Sequence, residues 1–388
     1  MEPYRGIDLL ELEDQLTADE RQVRDTVRAF VEAEALPAVV PHFREGTFPM
    51  ALVPRMGELG IFGAHIDGYG CAGLGAVAYG LIMQELERAD SGYRSFASVQ
   101  SSLAMTAIHQ FGTEEQRERF LPEMAAGRLI GAFALTEADH GSDPAGMETR
   151  AVEIDGGYEL AGAKMWITNA GVADVIVVWA KLRDAIRGFL VPASLPGVSR
   201  ENVHNKLSMR MSVTSGVAFD GVRLDAGALL PEAHGLGAAL QCLNSARYGI
   251  IWGVCGAAAD ALHVAIEYTR RREQFGRPLA SFQLVQQKLA DMATELSKAQ
   301  LLALHIGRLK EAGKLHWSHV SMGKYSNTRA ALDIARTCRD LLGAAGITDD
   351  FSPMRHAVNL ETVHTYEGTE HMHQLILGRR LTGLNAIS

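Results

Sequence analysis

The sequence predicts an α+β protein of three units: a helical domain over residues 1–130, a β domain over 131–232 and a helical bundle over 233–388. Two observations carry this. Apolar residues recur at three-to-four spacing before about residue 130 and again after about 233, whereas between them they alternate at period two between glycine turns. In addition, 388 residues, 47% hydrophobic and 21% charged, suffice to bury a sizeable core divided among subdomains.

In the first unit, LTADERQVRDTVRAFVEAEALPAVV has the helical period, and Thr17 followed by Glu20 predicts a capping box at its start. Helices are expected over Ser101–Ile108 and Glu114–Met124, with Gly112-Thr113 as stop and next cap. The β unit reads as AVEI, YEL, DVIVVWA, GFLVP and GVAFDGVRL. Asp155-Gly156-Gly157 predicts a hairpin, and Pro192, Pro196 and Gly197 end a later strand. In the last unit, Val285, Leu289, Met292 and Leu296 form one apolar stripe. No internal repeat is visible.

A net charge of -9 argues against a nucleic-acid binder, which needs a basic footprint for phosphates. The four cysteines, Cys71, Cys242, Cys255 and Cys338, are scattered without a CxxC pair, so neither a disulfide framework nor a thiolate metal site is expected. MEPYRGIDLLELEDQ is acidic from the start and lacks the pattern of a secretory leader, so a cytoplasmic location is expected, or the mitochondrial matrix had a transit peptide been removed. Gly249–Ile266 is the most membrane-like stretch, but Asp260 interrupts it and a buried bundle helix is expected, with no membrane partner. Fourteen histidines show no HExxH spacing, and His371 and His373 would diverge on a helix, so no metal is expected.

Four stretches carry candidate chemistry. FALTEADHGSDP (Phe133–Pro144) is rich in Thr, Ser, Gly and acidic residues, which suits either a heterocycle or phosphate site or an ordinary capped loop. In KMWITNA, Trp166 and Thr168 share a face if the strand alternates, giving a flat wall and a hydroxyl for a planar ring; a core indole is the alternative. CLNSARYG sets Asn244, Arg247 and Tyr248 in an apolar helix, where the arginine needs a buried carboxylate or a ligand phosphate. Arg272, Gln274, Phe275 and Gln283 form a second polar and aromatic set, which a solvated helix end also explains. Last, Tyr366-Glu367-Gly368-Thr369 places a carboxylate in a flexible turn: a base of raised proton affinity if water is excluded, otherwise a surface glutamate.

Taken together and in order, these segments resemble the acyl-CoA dehydrogenase family across nearly the whole chain. Through ELERADSGYRSFASVQSSL, LTEADHGSDPAGMETRA, CLNSARYGIIWGV and TYEGT, they are similar to its glutaryl-CoA dehydrogenases. The resemblance implies an antiparallel central β domain, a carboxyl-terminal four-helix bundle and an FAD cofactor. It implies that Glu367 removes the α-proton of an acyl-CoA while the β-hydrogen leaves to the flavin as hydride. Phe133, Ala134, Leu135, Thr136, Gly141 and Ser142, with Trp166, Ile167 and Thr168, are implied to line the isoalloxazine, and Ser142 to touch the CoA chain. Thr369 and His371 are further implied flavin contacts. Arg272, Phe275 and Gln283, with backbone groups of the segment 340–346 that holds Leu341 and Gly343, are implied to reach the FAD of a neighbouring subunit, hence a homo-oligomer, typically a tetramer; Gln274 is a further implied cofactor contact. Leu243, Asn244, Arg247, Tyr248 and Gly368 are expected along the acyl-CoA.

For substrate choice the resemblance points to Arg94, amid Ser95 and Ser98, as partner of a distal carboxylate; alone it would read as a surface arginine. Glu87, Arg94 and Tyr366 are then implied to position a carboxylate that departs as CO2, which gives crotonyl-CoA from glutaryl-CoA. The rival expectation is a related dehydrogenase of another short acyl thioester without decarboxylation. A helical scaffold that binds no flavin is a third. The electron acceptor implied is an electron-transferring flavoprotein. Ala138, Ala344-Ala345, His371 and Met211 depart from the usual pattern near the expected cofactor and CoA contacts.

Overall fold

A computed structural model describes Tyr4 and residues 6–386. Part of the acidic amino terminus discussed above, residues 1–3 and 5, lies outside the described residues. The first helix, α1 (Ala18–Phe30), opens on the expected capping box: the Thr17 hydroxyl accepts from Glu20 N at 3.2 Å and Glu20 Oε2 accepts from Thr17 N at 2.8 Å. It runs through a widened turn, Val31–Ala35, into α2 (Leu36–Glu45). There follow α3 (Val53–Glu58), α4 (Ala76–Ala89), α5 (Ser91–Ser98), α6 (Thr106–Phe111) and α7 (Glu114–Ala125).

The helix expected from Ser101 in fact begins at Ser91, where the Asp90 carboxylate caps it by accepting from Gly92 N at 2.7 Å. Widened turns over Val99–Met105 join α5 to α6. Every residue from Ser91 to Ile108 is buried. A helix covered on all sides has no polar face, so the periodic signal that reveals surface helices is missing.

Among the described residues the central strands form one seven-stranded sheet: β1 (Gly131–Ala134), β2 (Arg150–Ile154), β3 (Gly157–Thr168), β4 (Val175–Leu182), β5 (Ala185–Pro192), β6 (Val198–Asn202) and β7 (Thr214–Asp225). Asp155-Gly156 closes the expected β2–β3 hairpin, with Gly156 at φ 78°. The antiparallel expectation needs correcting, because β1 and β2 both run parallel to β4, one after the other along the same edge. The 15 residues 135–149 leave that edge as a long excursion and return to it, enough chain to bring the second strand back in the same direction. The polar segment FALTEADHGSDP therefore lies where β1 ends. The run DVIVVWA is apolar throughout because β4 is buried on both faces, Val175, Val177 and Trp179 toward the helices and Ile176, Val178 and Ala180 within the β domain.

The last unit holds α8 (Gly235–Arg271), α9 (Gln283–Glu311), α10 (Trp317–Leu341), α11 (Ser352–Thr365) and α12 (Glu370–Thr382). The four-helix expectation is thus extended by a fifth, short helix that starts directly after the Glu367 turn. By length and composition α8 could cross a membrane, but 83% of its most apolar stretch is buried inside the fold. Its glycines explain that composition: a Cβ on Gly256 would lie 1.9 Å from the Gln84 carbonyl oxygen, so only glycine lets α4 cross here. All four cysteines are free, and no cluster of His, Cys, Asp or Glu suited to a metal occurs among the described residues.

Candidate active site

The turn between α11 and α12 puts Glu367 at φ 52° and Gly368 at φ 95°. A non-glycine residue in the left-handed region persists only where its surroundings hold it. Three consecutive carbonyls of this turn are held by buried cations. Lys324 Nζ, from α10, donates to the Tyr366 and Gly368 oxygens, both at 2.5 Å, and Arg247 Nε, from α8, donates to the Glu367 oxygen at 2.6 Å. The flexible turn expected from the sequence is in fact clamped. Arg247, expected to need a carboxylate or phosphate, donates within the chain to this carbonyl and to Asn244 Oδ1 at 3.2 Å.

Glu367 is not a surface glutamate. Its Oε2 is buried and has no hydrogen-bond partner among the described residues. Burial raises the carboxyl's proton affinity above the ordinary range, and the charges of Arg94, Lys324 and Arg247 oppose that rise. A carboxyl group in such a balance, with one oxygen unpartnered among the described residues, has the chemistry a base requires.

Beside it, Arg94 is fully buried on α5. Its Nε donates to Glu87 Oε2 at 2.7 Å, one of its terminal nitrogens donates to the Tyr366 hydroxyl, and Ser91 Oγ donates to Glu87 Oε1 at 2.8 Å. Arg94 Nη1 and Ser98 Oγ are buried without partners among the described residues, and Ser95 is buried next to them in sequence. Gly253 of α8 makes the room: a Cβ there would lie 2.1 Å from Glu87 Oε2 and 3.1 Å from Arg94 Cγ. Gly253→Ala is expected to lower stability by about 1–3 kcal/mol through overpacking. Because the strain falls on the Glu87–Arg94 pair, KM for the best substrate should rise as well, which steady-state kinetics beside a thermal melt would show.

The β domain supplies a second surface. Lys164 and Ile167 of β3 pair with Val217 and Ser215 of β7, so Met165 and Trp166 together face the single residue Gly216 in a bulge. The plain alternation expected for KMWITNA is replaced by this bulge, in which Trp166 takes φ 63° and is 56% exposed. A core indole is thereby excluded. Met165 N donates to the Thr136 carbonyl at 2.9 Å, tying the bulge to the 135–149 excursion. Phe133, Ala134, Leu135 and Ile167 are buried beneath, Thr136 and Thr168 are half-buried, and Gly141 and Ser142 are exposed. A Cβ on Gly141 would meet nothing within 4 Å. An exposed indole beside hydroxyls and an uncrowded loop fits one face of a flat heterocycle such as an isoalloxazine.

The excursion is anchored by Glu137, whose carboxylate accepts from Glu148 N at 2.6 Å, Thr149 N at 3.0 Å and Lys164 Nζ at 2.9 Å. Burial works to raise its pKa, yet these donors pull it down to about 2. Lys164→Met leaves the buried carboxylate without its cation and is expected to cost about 3–5 kcal/mol. A thermal melt reads this directly, and a variant that melts like the parent would show that the pair is not needed to anchor the loop.

The other expected positions lie apart from this cluster. Arg272, Gln274, Phe275 and Gln283 are exposed around the turn from α8 to α9, as is Gly343 after α10, with Leu341 half-buried. No hydrogen bond among the described residues links them to the Glu367 turn. His371 is exposed on α12, while Thr369 caps that helix by accepting from Met372 N at 3.3 Å. Leu243 packs at the margin of the core, and the Tyr248 hydroxyl donates to the Ala76 carbonyl at 2.7 Å. Met211 is fully buried against Gly92 at the start of α5.

Two participants were not expected from the sequence. Lys324 was hidden in a helix, although Val320, Asn327 and Ala331, its neighbours at helical spacing, mark the buried stripe. His373, buried on α12 with Nδ1 at 3.1 Å from Ser321 Oγ, was read only as half of a diverging histidine pair. Burial and the nearby Lys324 and Arg247 charges lower its pKa to about 3.

A clamped, buried glutamate carboxylate beside a buried arginine, in a chain whose β domain exposes an indole, suits an enzyme with a base and a surface for a flat heterocycle. Family models agree segment by segment: the acyl-CoA dehydrogenase N-terminal domain over 17–128, middle domain over 132–222 and C-terminal domain over 233–382. The chain belongs to the acyl-CoA dehydrogenase family. It is 34% identical to the mitochondrial short-chain specific acyl-CoA dehydrogenase of Bos taurus over 375 residues, covering 95% of this chain and 91% of the relative. Among solved structures it is similar to a glutaryl-CoA dehydrogenase from Mycobacterium smegmatis in complex with FADH2, at 51% identity and a TM-score of 0.98 over 100% of both chains. A second glutaryl-CoA dehydrogenase structure from that organism gives 54% identity and a TM-score of 0.97, covering 99% of this chain and 100% of that one.

Proposed function

We propose that this acyl-CoA dehydrogenase oxidises glutaryl-CoA and releases CO2, giving crotonyl-CoA. The observation that carries the reading is the Arg94 Nη1 donor, fully buried and unpartnered beside the equally unpartnered Ser98 hydroxyl. Buried donors without partners are disfavoured unless a ligand completes them. The charges point the same way: among the described residues, Arg94, Arg247 and Lys324 share the carboxylates of Glu87 and Glu367, an excess of positive charge that suits one more anion. A terminal carboxylate in a substrate supplies it and pairs with a guanidinium through charge-assisted bonds.

FAD, when bound against the Trp166 and Thr168 surface, supplies the hydride acceptor. Glu367 Oε2 takes the α-proton of the thioester. Arg94 and Ser98 hold the distal carboxylate, with the Tyr366 hydroxyl fixing the guanidinium. After oxidation, the bond between the γ-carbon and the carboxylate breaks, its electron pair passes into the conjugated thioester, and CO2 leaves. Glu367 then returns its proton to the γ-carbon. Electrons are expected to leave to an electron-transferring flavoprotein. Exposed Phe275, held at φ 54°, and its neighbours Arg272 and Gln283 suit contact with a second copy's cofactor in a homotetramer, which ultracentrifugation tests.

The similarity to short-chain relatives favours one alternative, a dehydrogenase that leaves its product intact. Incubating the holoenzyme with glutaryl-CoA and an artificial acceptor separates the two. Crotonyl-CoA and stoichiometric CO2 are expected; glutaconyl-CoA as end product, or a preference for butyryl-CoA, overturns the reading.

A further inference from the structure

Lys324 has no place in the reaction just described, yet it sits at the centre of the site. It is 1% exposed, and α10 reaches so far inward because residue 323 is a glycine, whose Cβ would lie 2.7 Å from both Ile251 Cδ1 and Ile306 Cδ1. The ammonium lies between the carbonyl before Glu367 and the carbonyl after it, and 5.9 Å from the centre of the Tyr366 ring. We propose that Lys324 is a positioning residue for the base: by bridging the Tyr366 and Gly368 carbonyls it fixes Glu367 in its left-handed conformation, and by its charge it keeps that carboxylate ionised.

The inference rests on the reading of Glu367 as the base and extends it. The bridge accounts for the strain. With the carbonyls on both sides of position 367 drawn to one ammonium, two hydrogen bonds oppose relaxation of the backbone to negative φ. The charge accounts for the ionisation. Burial raises the proton affinity of the Glu367 carboxyl, and the nearby cations oppose that rise.

The titratable groups that share the environment include Arg94 from α5, Arg247 from α8, His373 from α12, Glu87 and Tyr79 from α4, and Tyr366 in the turn itself. Arg94, although paired with Glu87, acts on the Glu367 charge together with Lys324 and Arg247, whereas His373 is held neutral; of the three cations only Lys324 also bridges the carbonyls on both sides of the base. Burial pulls the Lys324 pKa down to about 7, with the Glu367 charge opposing the fall.

The test uses flavin-loaded Lys324→Met, which removes donor and charge, and Lys324→Gln, which keeps a donor without charge. Flavin content, melting temperature, acyl-CoA affinity and the rate of flavin bleaching by acyl-CoA are followed across pH. An infrared titration of the carboxyl band that disappears in Glu367→Gln reports the base directly. Lys324→Met is expected to keep its flavin and to bleach ~100-fold more slowly, as a base displaced by about 1 Å would. In both variants the acid limb of the rate profile and the carboxyl titration should move to higher pH, since removing a cation makes the carboxyl hold its proton more tightly. Lys324→Gln should recover part of the rate but none of that shift. A slower rate with unmoved titrations overturns the inference, and so does failure of both variants to fold with flavin, since the lysine's role is then structural. If Glu367→Gln is inert while the Lys324 variants behave as wild type, this inference alone falls; if Glu367→Gln bleaches normally, the base assignment fails first.

Discussion

Glu367→Gln is expected to keep its fold and flavin while bleaching by acyl-CoA slows by ~10²–10⁴-fold, the range a positioned general base contributes. The amide preserves the volume and the backbone contacts of the turn, so Arg247 and Lys324 continue to hold their carbonyls. Only the proton acceptor is lost. Acyl-CoA binding should therefore change little, placing the deficit in the rate of bleaching and not in substrate affinity. In the parent enzyme the same rate should fall as pH drops through the Glu367 pKa, which burial places above the ordinary carboxylate range. A Glu367→Gln enzyme that bleaches at the parent rate would mean that another group takes the proton.

The contrast between legible and hidden features follows from where polar groups lie in this fold. Helices with one wet face and the hairpin at Asp155-Gly156 announce themselves by period and turn chemistry, as α1 with its Thr17–Glu20 box shows. The buried helix from Ser91 has no wet face, and its start rests on a cap by Asp90 that a run of small polar residues obscures. The parallel entry of β1 and β2 onto β4 depends on a long-range pairing that no local window contains. So does the bulge at Trp166, where one extra residue in β3 reverses the alternation on which a strand reading depends.

At the site itself, the tetrapeptide around Glu367 was visible as a carboxylate in a turn, but neither its burial nor its clamp was. The clamp belongs to Lys324 and Arg247, which lie 43 and 120 residues away in the chain and gain meaning only when α8 and α10 converge. Arg247 illustrates the limit well. A buried arginine in an apolar helix demands a partner, and sequence reasoning can state the demand. It cannot foresee that the partner is a backbone oxygen, since every residue carries one.

Arg94→Met is expected to abolish preference for a dicarboxylic acyl-CoA, with kcat/KM for glutaryl-CoA falling by at least ~100-fold, in the range of losing one partner of a buried charge pair. The substitution also strands Glu87, which is fully buried and relies on Arg94 Nε. A companion Glu87→Gln/Arg94→Met enzyme removes the stranded charge while still lacking the guanidinium. If Arg94 recognises the substrate, the double variant should regain stability in a thermal melt yet remain unable to favour glutaryl-CoA over butyryl-CoA. Should the double variant instead recover the dicarboxylic preference, the loss in the single variant came from the uncompensated Glu87, and the carboxylate must be held elsewhere. The Tyr366 hydroxyl makes the distinction sharper: it is bonded to Arg94 in the parent, and freed in both variants it can donate to a substrate carboxylate but cannot replace a charge. Residual glutaryl-CoA turnover at raised KM in both variants is therefore the expected remainder.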